Sequence, residues 1–294
     1  MTRAVAFVGL GAMGLAMAKG LVAKQFRVSG YDVRAEAIDA LVTNGGHGAR
    51  SANEAACGAD TLVLMVVNAD QAEEVLFAAG ALEALAPKAT VILMATCAPA
   101  RVVDIATRVE STGRGFVDAP VSGGTVGAAG GTLTIMAAAP TPVFEAVRPV
   151  LAALGSNLFH LGERAGQGAA MKIVNQLLAG VHIAAAAEGL AMAERAGIDP
   201  ARALEILSSG AAASWMLKNR GPRMVEDDGA VTSAVDIFVK DLGLVLDAGR
   251  AARMGLPLAA AAHQLFLAAS GLGAGGKDDS QVIEAYRALS PRKS

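Results

Sequence analysis

Ala4-Val5-Ala6-Phe7-Val8-Gly9-Leu10-Gly11-Ala12-Met13-Gly14 is the stretch from which the fold is read. Ala4 to Val8 is an unbroken apolar run, the pattern of a strand covered on both faces. A helical pattern follows the last glycine and continues to Lys24. A GxGxxG lying between a strand and a helix is placed where a dinucleotide fingerprint needs it. Gly9 permits a tight turn, Gly11 lets backbone approach a pyrophosphate, and Gly14 lets the helix pack closely on the strand. The helix N-terminus favours the phosphate charge. Gly9, Leu10, Gly11, Ala12, Met13 and Gly14 are therefore candidate cofactor-binding residues in a Rossmann-type, doubly wound α/β domain.

Outward from this stretch the strand–helix alternation continues. A strand over Phe26 to Tyr31 ends at Asp32, about twenty residues past the glycines, where a carboxylate can hold adenosine ribose hydroxyls. It would repel a 2′-phosphate, so NAD is expected rather than NADP, although Arg34 just beyond could accept such a phosphate. Asp32 could also cap a helix beginning near Arg34, and both roles could hold at once. Further strands are predicted over Thr61–Val67 and Thr90–Ala95. Ligands of open parallel sheets sit beyond the carboxyl ends of the strands, which puts Val67, Asn68 and Thr96 on the cofactor side. Thr96 reads as a nicotinamide or ribose contact, or as the N-cap of a helix near Ala100. A short strand at Gly115–Asp118 leads into Ala119-Pro120-Val121-Ser122-Gly123-Gly124. Its exposed N–H groups could hold a carboxylate, or the segment could be an ordinary glycine-rich turn. Closing strands at Leu133–Ala138 and Asn157–Leu161, with a helix from Thr141 to Leu154 between them, complete a domain over residues 1–163.

Residues 164–294 read as almost entirely helical, as a second, all-α domain. A long interdomain helix is predicted from about Gln167 to Arg195. Lys172, Asn175 and Gln176 share one face of it at i, i+3 and i+4. Partial desolvation among Met171, Ile173 and Val174 would lower a lysine's pKa toward the range useful for proton transfer. A surface lysine snorkelling off the helix is the plain alternative. Further helices are predicted at Asp199–Ser209, Ser214–Gly221, Ile237–Met254, Pro257–Ala269 and Asp278–Leu289. Trp215 is expected in the core, with a pocket wall as the alternative, and Asp236 with Lys240 at i, i+4 could be a plain helical ion pair. The tail from Ser290 to Ser294 is expected to fray. Alanine-rich helices suggest a homodimer or homotetramer.

The remaining composition excludes more than it assigns. A net charge of −2 with scattered Lys and Arg offers no case for nucleic acid or an anionic membrane. Cys57 and Cys97 belong to no CxxC pair, so neither a disulfide framework nor a metal site is expected. Cys57 reads as a small core residue. Ile173 to Ala193 is apolar, but Asn175, Gln176, His182 and Glu188 interrupt it, which favours a buried helix over a membrane span. The opening Met1-Thr2-Arg3-Ala4-Val5 has no long apolar h-region, so a soluble, cytoplasmic protein is expected.

Four motifs stand in order: Gly9 to Gly14, Asp118 to Gly124, Gly168-Ala169-Ala170-Met171-Lys172-Ile173-Val174-Asn175-Gln176, and Lys240-Asp241-Leu242. Together, over essentially the whole chain, they resemble the β-hydroxyacid dehydrogenase family. The resemblance is sharpest to members acting at C2 of a 2,3-dihydroxy acid, through Val66-Val67-Asn68-Ala69, Gln176 to Ala185, Ser214-Trp215-Met216 and Ser233 to Gly243. It implies NAD-dependent oxidation of a small hydroxy acid, with Lys172 as the catalytic lysine. Ser122, Gly123 and Gly124 would bind the substrate carboxylate, and Asn175 and Gln176 would orient a hydroxyl. Thr96 and Lys240 would lie at the nicotinamide end, and Asp32 would select NAD. One departure stands out. Many members carry Asn four residues after the lysine, where this chain has Gln176 after Asn175.

Overall fold

The structure is a computed structural model that describes residues 4–226 and 228–289. The expected fraying of residues 290–294 lies outside them. The chain divides into two compact units, Met1–Lys172 and Ile173–Ser294.

The first unit is built on β1 (Ala4–Val8), whose alternate side chains enter two separate cores. Val5 and Phe7 point into one, Ala6 and Val8 into the other. That is the two-faced burial the apolar run requires. Around it lie β2 (Arg27–Tyr31), β3 (His47–Gly48), β4 (Thr61–Leu64), β5 (Thr90–Leu93) and β6 (Gly115–Asp118), all parallel, in the order β3-β2-β1-β4-β5-β6. The order reverses between β1 and β4, which creates the crevice at the carboxyl edge. β7 (Val121–Ser122) and β8 (Thr134–Ala138) close the sheet antiparallel, and β9 (Asn157–Gly162) runs parallel to β8.

Helices cover both faces. On one, α1 (Ala12–Ala23) contributes Met17 and Leu21, and α8 (Thr141–Leu154) contributes Phe144, Val147 and Leu151. Between them in the chain come α2 (Ala35–Thr43), α3 (Ala52–Ala56), α4 (Ala69–Glu73), α5 (Ala81–Ala84), α6 (Pro99–Glu110) and α7 (Gly124–Gly130). Leu82, Val102 and Ile105 fill the opposite core. The segment after Ser122 is thus a short helix rather than a simple turn. Cys57, expected inside, is exposed, whereas Cys97 is buried.

The second unit is helical. It begins within α9 (Gln167–Arg195) and continues through α10 (Pro200–Ser209), α11 (Trp215–Val225), α12 (Val235–Ala251), α13 (Pro257–Ala269) and α14 (Ile283–Leu289). Ile183, Leu190, Phe238, Leu242, Phe266 and Ile283 form its core, with the Phe238 and Phe266 rings stacked at 5.2 Å. The Asp278–Leu289 helix of the sequence reading is split: Asp279–Val282 is a 3₁₀ turn capped by Asp278. Arg220 grips Asp279 bidentately at 2.7 and 2.9 Å, a buried pair that fastens this turn to α11. Trp215 departs from expectation, being 55% exposed at the first position of α11, where Ser214 rather than the indole anchors the helix start. α9 is the one helix among the described residues long and apolar enough to cross a membrane, and 56% of its most apolar window is buried within the protein.

Candidate active site

Each glycine of the first loop meets a different constraint. Gly9 has φ +94°, and a Cβ there would lie 2.3 Å from the Met65 carbonyl oxygen just past β4. A Cβ at Gly14 would fall 1.9 Å from the Gly9 oxygen. At Gly11 a Cβ would meet nothing within 4 Å. Gly11 is the N-cap residue of α1 and puts no side chain over the first-turn N–H groups. Two glycines needed for packing and one that keeps a cradle clear are what a bound pyrophosphate requires.

Asp32 is tied to this loop directly. Its Oδ2 accepts the Leu10 N–H at 2.7 Å, and its Oδ1 accepts from the Arg34 backbone N and Nε, both at 3.0 Å. Burial alone would raise its carboxyl, but the hydrogen bonds from Arg34 and from the Arg34 and Leu10 backbones outweigh that and hold it below the usual range. Asp32 does not cap α2, whose N-cap residue is Arg34. The Arg34 guanidinium also donates to the Leu10 carbonyl at 3.1 Å, so the arginine is anchored against the acid.

Val67 and Asn68 follow β4, and Thr96 follows β5, at the same carboxyl edge. Asn68 caps α4 by accepting the Gln71 N–H at 2.9 Å, and the Val67 N–H is taken by Gln71 Oε1, also at 2.9 Å. α6 begins at Pro99 with Ala98 as its N-cap residue, so Thr96 is not the cap.

β6 delivers the next group of residues. Its last residue, Asp118, is only 1% exposed. Oδ2 of Asp118 accepts the Gly166 and Ala169 N–H groups at 2.9 Å each, at the start of α9. Burial pushes its carboxyl up to about 6, against the pull of backbone N–H groups from Ala169, Gly166 and Gly168. Four residues on, Ser122 ends β7, and Gly123 and Gly124 follow with φ of +129° and +61°. Lys172 lies three residues, just under one helical turn, beyond Ala169 in α9 and is buried, 7% exposed. The surface-lysine alternative is therefore set aside.

In the second unit, Gln176 is buried and its Nε2 donates to Asp241 Oδ2 at 2.5 Å, while its Oε1 accepts from Asn175 Nδ2 at 2.8 Å. The Gln176 amide is thus engaged within its own unit at both ends. Lys240 Nζ lies 2.7 Å from Asp241 Oδ1. Asp236 accepts from Ser270 Oγ at 2.6 Å. Two residues gain a role that sequence reasoning missed: Asp118 and Asp241. Each is an acid in an otherwise apolar run, which signals a partner without naming it.

Residues 4–162 match the family described as the NAD binding domain of 6-phosphogluconate dehydrogenase. Residues 166–286 match that described as the NAD-binding of NADP-dependent 3-hydroxyisobutyrate dehydrogenase. L-threonate dehydrogenase of Cupriavidus necator is 44% identical over 287 residues, 97% of each chain. The chain belongs to the β-hydroxyacid dehydrogenase family. L-threonate dehydrogenase of Escherichia coli K12 is 41% identical over 97% of this chain and 95% of its own. A crystal structure titled 3-hydroxyisobutyrate dehydrogenase, from Salmonella typhimurium, is 42% identical with a TM-score of 0.91, covering 95% of this chain and 98% of that one. As a member of the family, this β-hydroxyacid dehydrogenase is an NAD-binding oxidoreductase acting on the CH–OH group of a small hydroxy acid.

Proposed function

We propose that this enzyme oxidises L-threonate at C2 to 2-dehydro-L-erythronate, with NAD as the preferred cofactor and Lys172 as general base. The observation that carries the substrate is full-length similarity at about 40% identity or more to enzymes of that name. We take residues 1–163 as the cofactor domain and residues 164–294 as the substrate and assembly domain of a homodimer or homotetramer.

Bound NAD supplies the acceptor for the hydride that leaves C2. Gly9 to Gly14 would hold its pyrophosphate, Asp32 its adenosine ribose, and Val67, Asn68, Thr96 and Lys240 the remainder. The chain's own part is placement and proton handling. Ser122 and the Gly123 and Gly124 backbone anchor the substrate carboxylate. Lys172, drawn out of water, takes the C2 hydroxyl proton as the C–H bond breaks, and donates it back in the reduction. Asn175 and Gln176 shape the hydroxyl side of the pocket. With the Gln176 amide already engaged by Asp241 and Asn175, its contribution is to hold Asn175 in place.

NADH formation from L-threonate, beside D-threonate, D-erythronate, D-glycerate and 3-hydroxyisobutyrate, each with NAD and NADP, tests the reading. Strong turnover of L-threonate with NAD is the expected result. Turnover confined to 3-hydroxyisobutyrate or D-glycerate overturns the substrate while keeping the chemistry.

A further inference from the structure

Helix α9 begins in a way its own sequence does not provide for. The first N–H groups of any helix lack intrahelical acceptors, and the residue before α9, Gly166, has no side chain to offer. Its φ of +92° further reserves the position for glycine. The acceptor comes from 48 residues earlier in the chain, the buried carboxylate of Asp118, which takes the Gly166 and Ala169 N–H groups at 2.9 Å. The contact surface is tight. A Cβ at Gly168 would lie 2.5 Å from the Met136 carbonyl oxygen and 2.8 Å from that of Asp118.

We propose that Asp118 is a positioning residue for the reaction, a cap supplied from the sheet that sets Lys172 in register with Ser122, Gly123 and Gly124. The inference rests on the reading of Lys172 as the general base. Asp118 ends β6, and the chain leaving it reaches Ser122 within four residues. The same carboxylate fixes the turn of α9 immediately before Lys172. One side chain therefore joins the two parts of the substrate site, the carboxylate loop and the base. A cap on an isolated helix start usually comes from the residue that precedes it, so an acceptor reaching from the end of β6 ties α9 to the sheet as well as capping it. One acceptor oxygen that takes both N–H groups, whether of a carboxylate or an amide, holds the helix start at a single height on the sheet edge.

Asp118→Ala and Asp118→Asn test this in the full-length enzyme. Asp118→Ala is expected to lower kcat for the hydroxy acid by about a hundredfold, the scale of an ångström misplacement of a catalytic group. The Kd for NAD should stay within about twofold. Asp118→Asn, which keeps one acceptor oxygen, should recover most of that loss. Hydrogen exchange over residues 164–175 should accelerate in Asp118→Ala and stay near wild type in Asp118→Asn. Unchanged exchange in Asp118→Ala overturns the cap. So does equal loss of NAD binding and turnover, or an Asn variant no better than Ala. Lys172→Ala, assayed in parallel, separates the two ideas. If it keeps turnover the role of Lys172 falls, while the exchange result still decides whether Asp118 caps α9.

Discussion

Lys172 carries the chemistry proposed here, and its burial is the residue-scale fact that distinguishes it from a surface lysine. Lys172→Ala is expected to lower kcat by at least two to three orders of magnitude with the Kd for NAD little changed, measured by NADH formation and by cofactor titration. Asp118 makes a second, independent prediction. Its carboxyl is raised from 3.8 to about 6, chiefly by burial. Such a group adds stability that is fully present below about pH 4 and lost as pH rises through about 6, a swing of at most about 3 kcal/mol. The difference in unfolding free energy between Asp118→Asn and wild type should therefore grow in favour of the variant from pH 4 to pH 7. Urea melts at both pH values check it, and a flat difference refutes the raised carboxyl. Asp32→Ser should raise the KM for NAD roughly tenfold to a hundredfold if, as proposed, Asp32 makes a charge-assisted hydrogen bond to the ribose. It should also narrow the preference over NADP, since Arg34 loses the acid that holds it. The position of Asp32 at the end of β2 was legible from local spacing, whereas spacing alone left Lys172 reading as a surface lysine and its proposed role came from the resemblance. The role of Asp118 was not, because its partners lie 48 and 51 residues away.

Elements show the same division. β1, the glycine loop and α1 were readable since pattern and turn chemistry are local there. α7 was not, because its glycines carry no helical periodicity and it is held by packing: a Cβ at Gly127 would press the Leu133 side chain at 3.1 Å. The glycine loop yields a paired test. Gly14→Ala drives a methyl into the Gly9 carbonyl and should destabilise the fold by roughly 1–3 kcal/mol. Gly11→Ala meets open space and should leave thermal unfolding within about 0.5 kcal/mol of wild type. Its methyl occupies the pyrophosphate cradle, so NAD affinity should fall at least tenfold. Equal effects of the two substitutions on stability would contradict the separate roles assigned to these glycines. In α12, Lys240 pairs with its neighbour Asp241, itself held by Gln176, contacts that spacing alone did not point to.

At the scale of the molecule, a parallel sheet in the order β3-β2-β1-β4-β5-β6 places the loops after β1, β4, β5 and β6 at one edge. The helical unit exposes large apolar side chains, among them Met192, Ile206, Trp215, Leu258 and Leu272. Such exposure on an alanine-rich helical surface is consistent with self-association, and light scattering should give a particle of two or four chains. A single-chain mass would overturn that expectation. By itself the sequence determined the strand–helix alternation, the dinucleotide loop, the long α9 and the face it presents at Lys172, because each depends on periodicity or spacing within a few residues. Tertiary structure alone decided that Trp215 and Cys57 lie outside, that Gln176 is engaged by Asp241, and that Asp118 begins α9. Those outcomes depend on which distant groups meet in a buried, low-dielectric place, where an unpaired N–H or charge must find a partner.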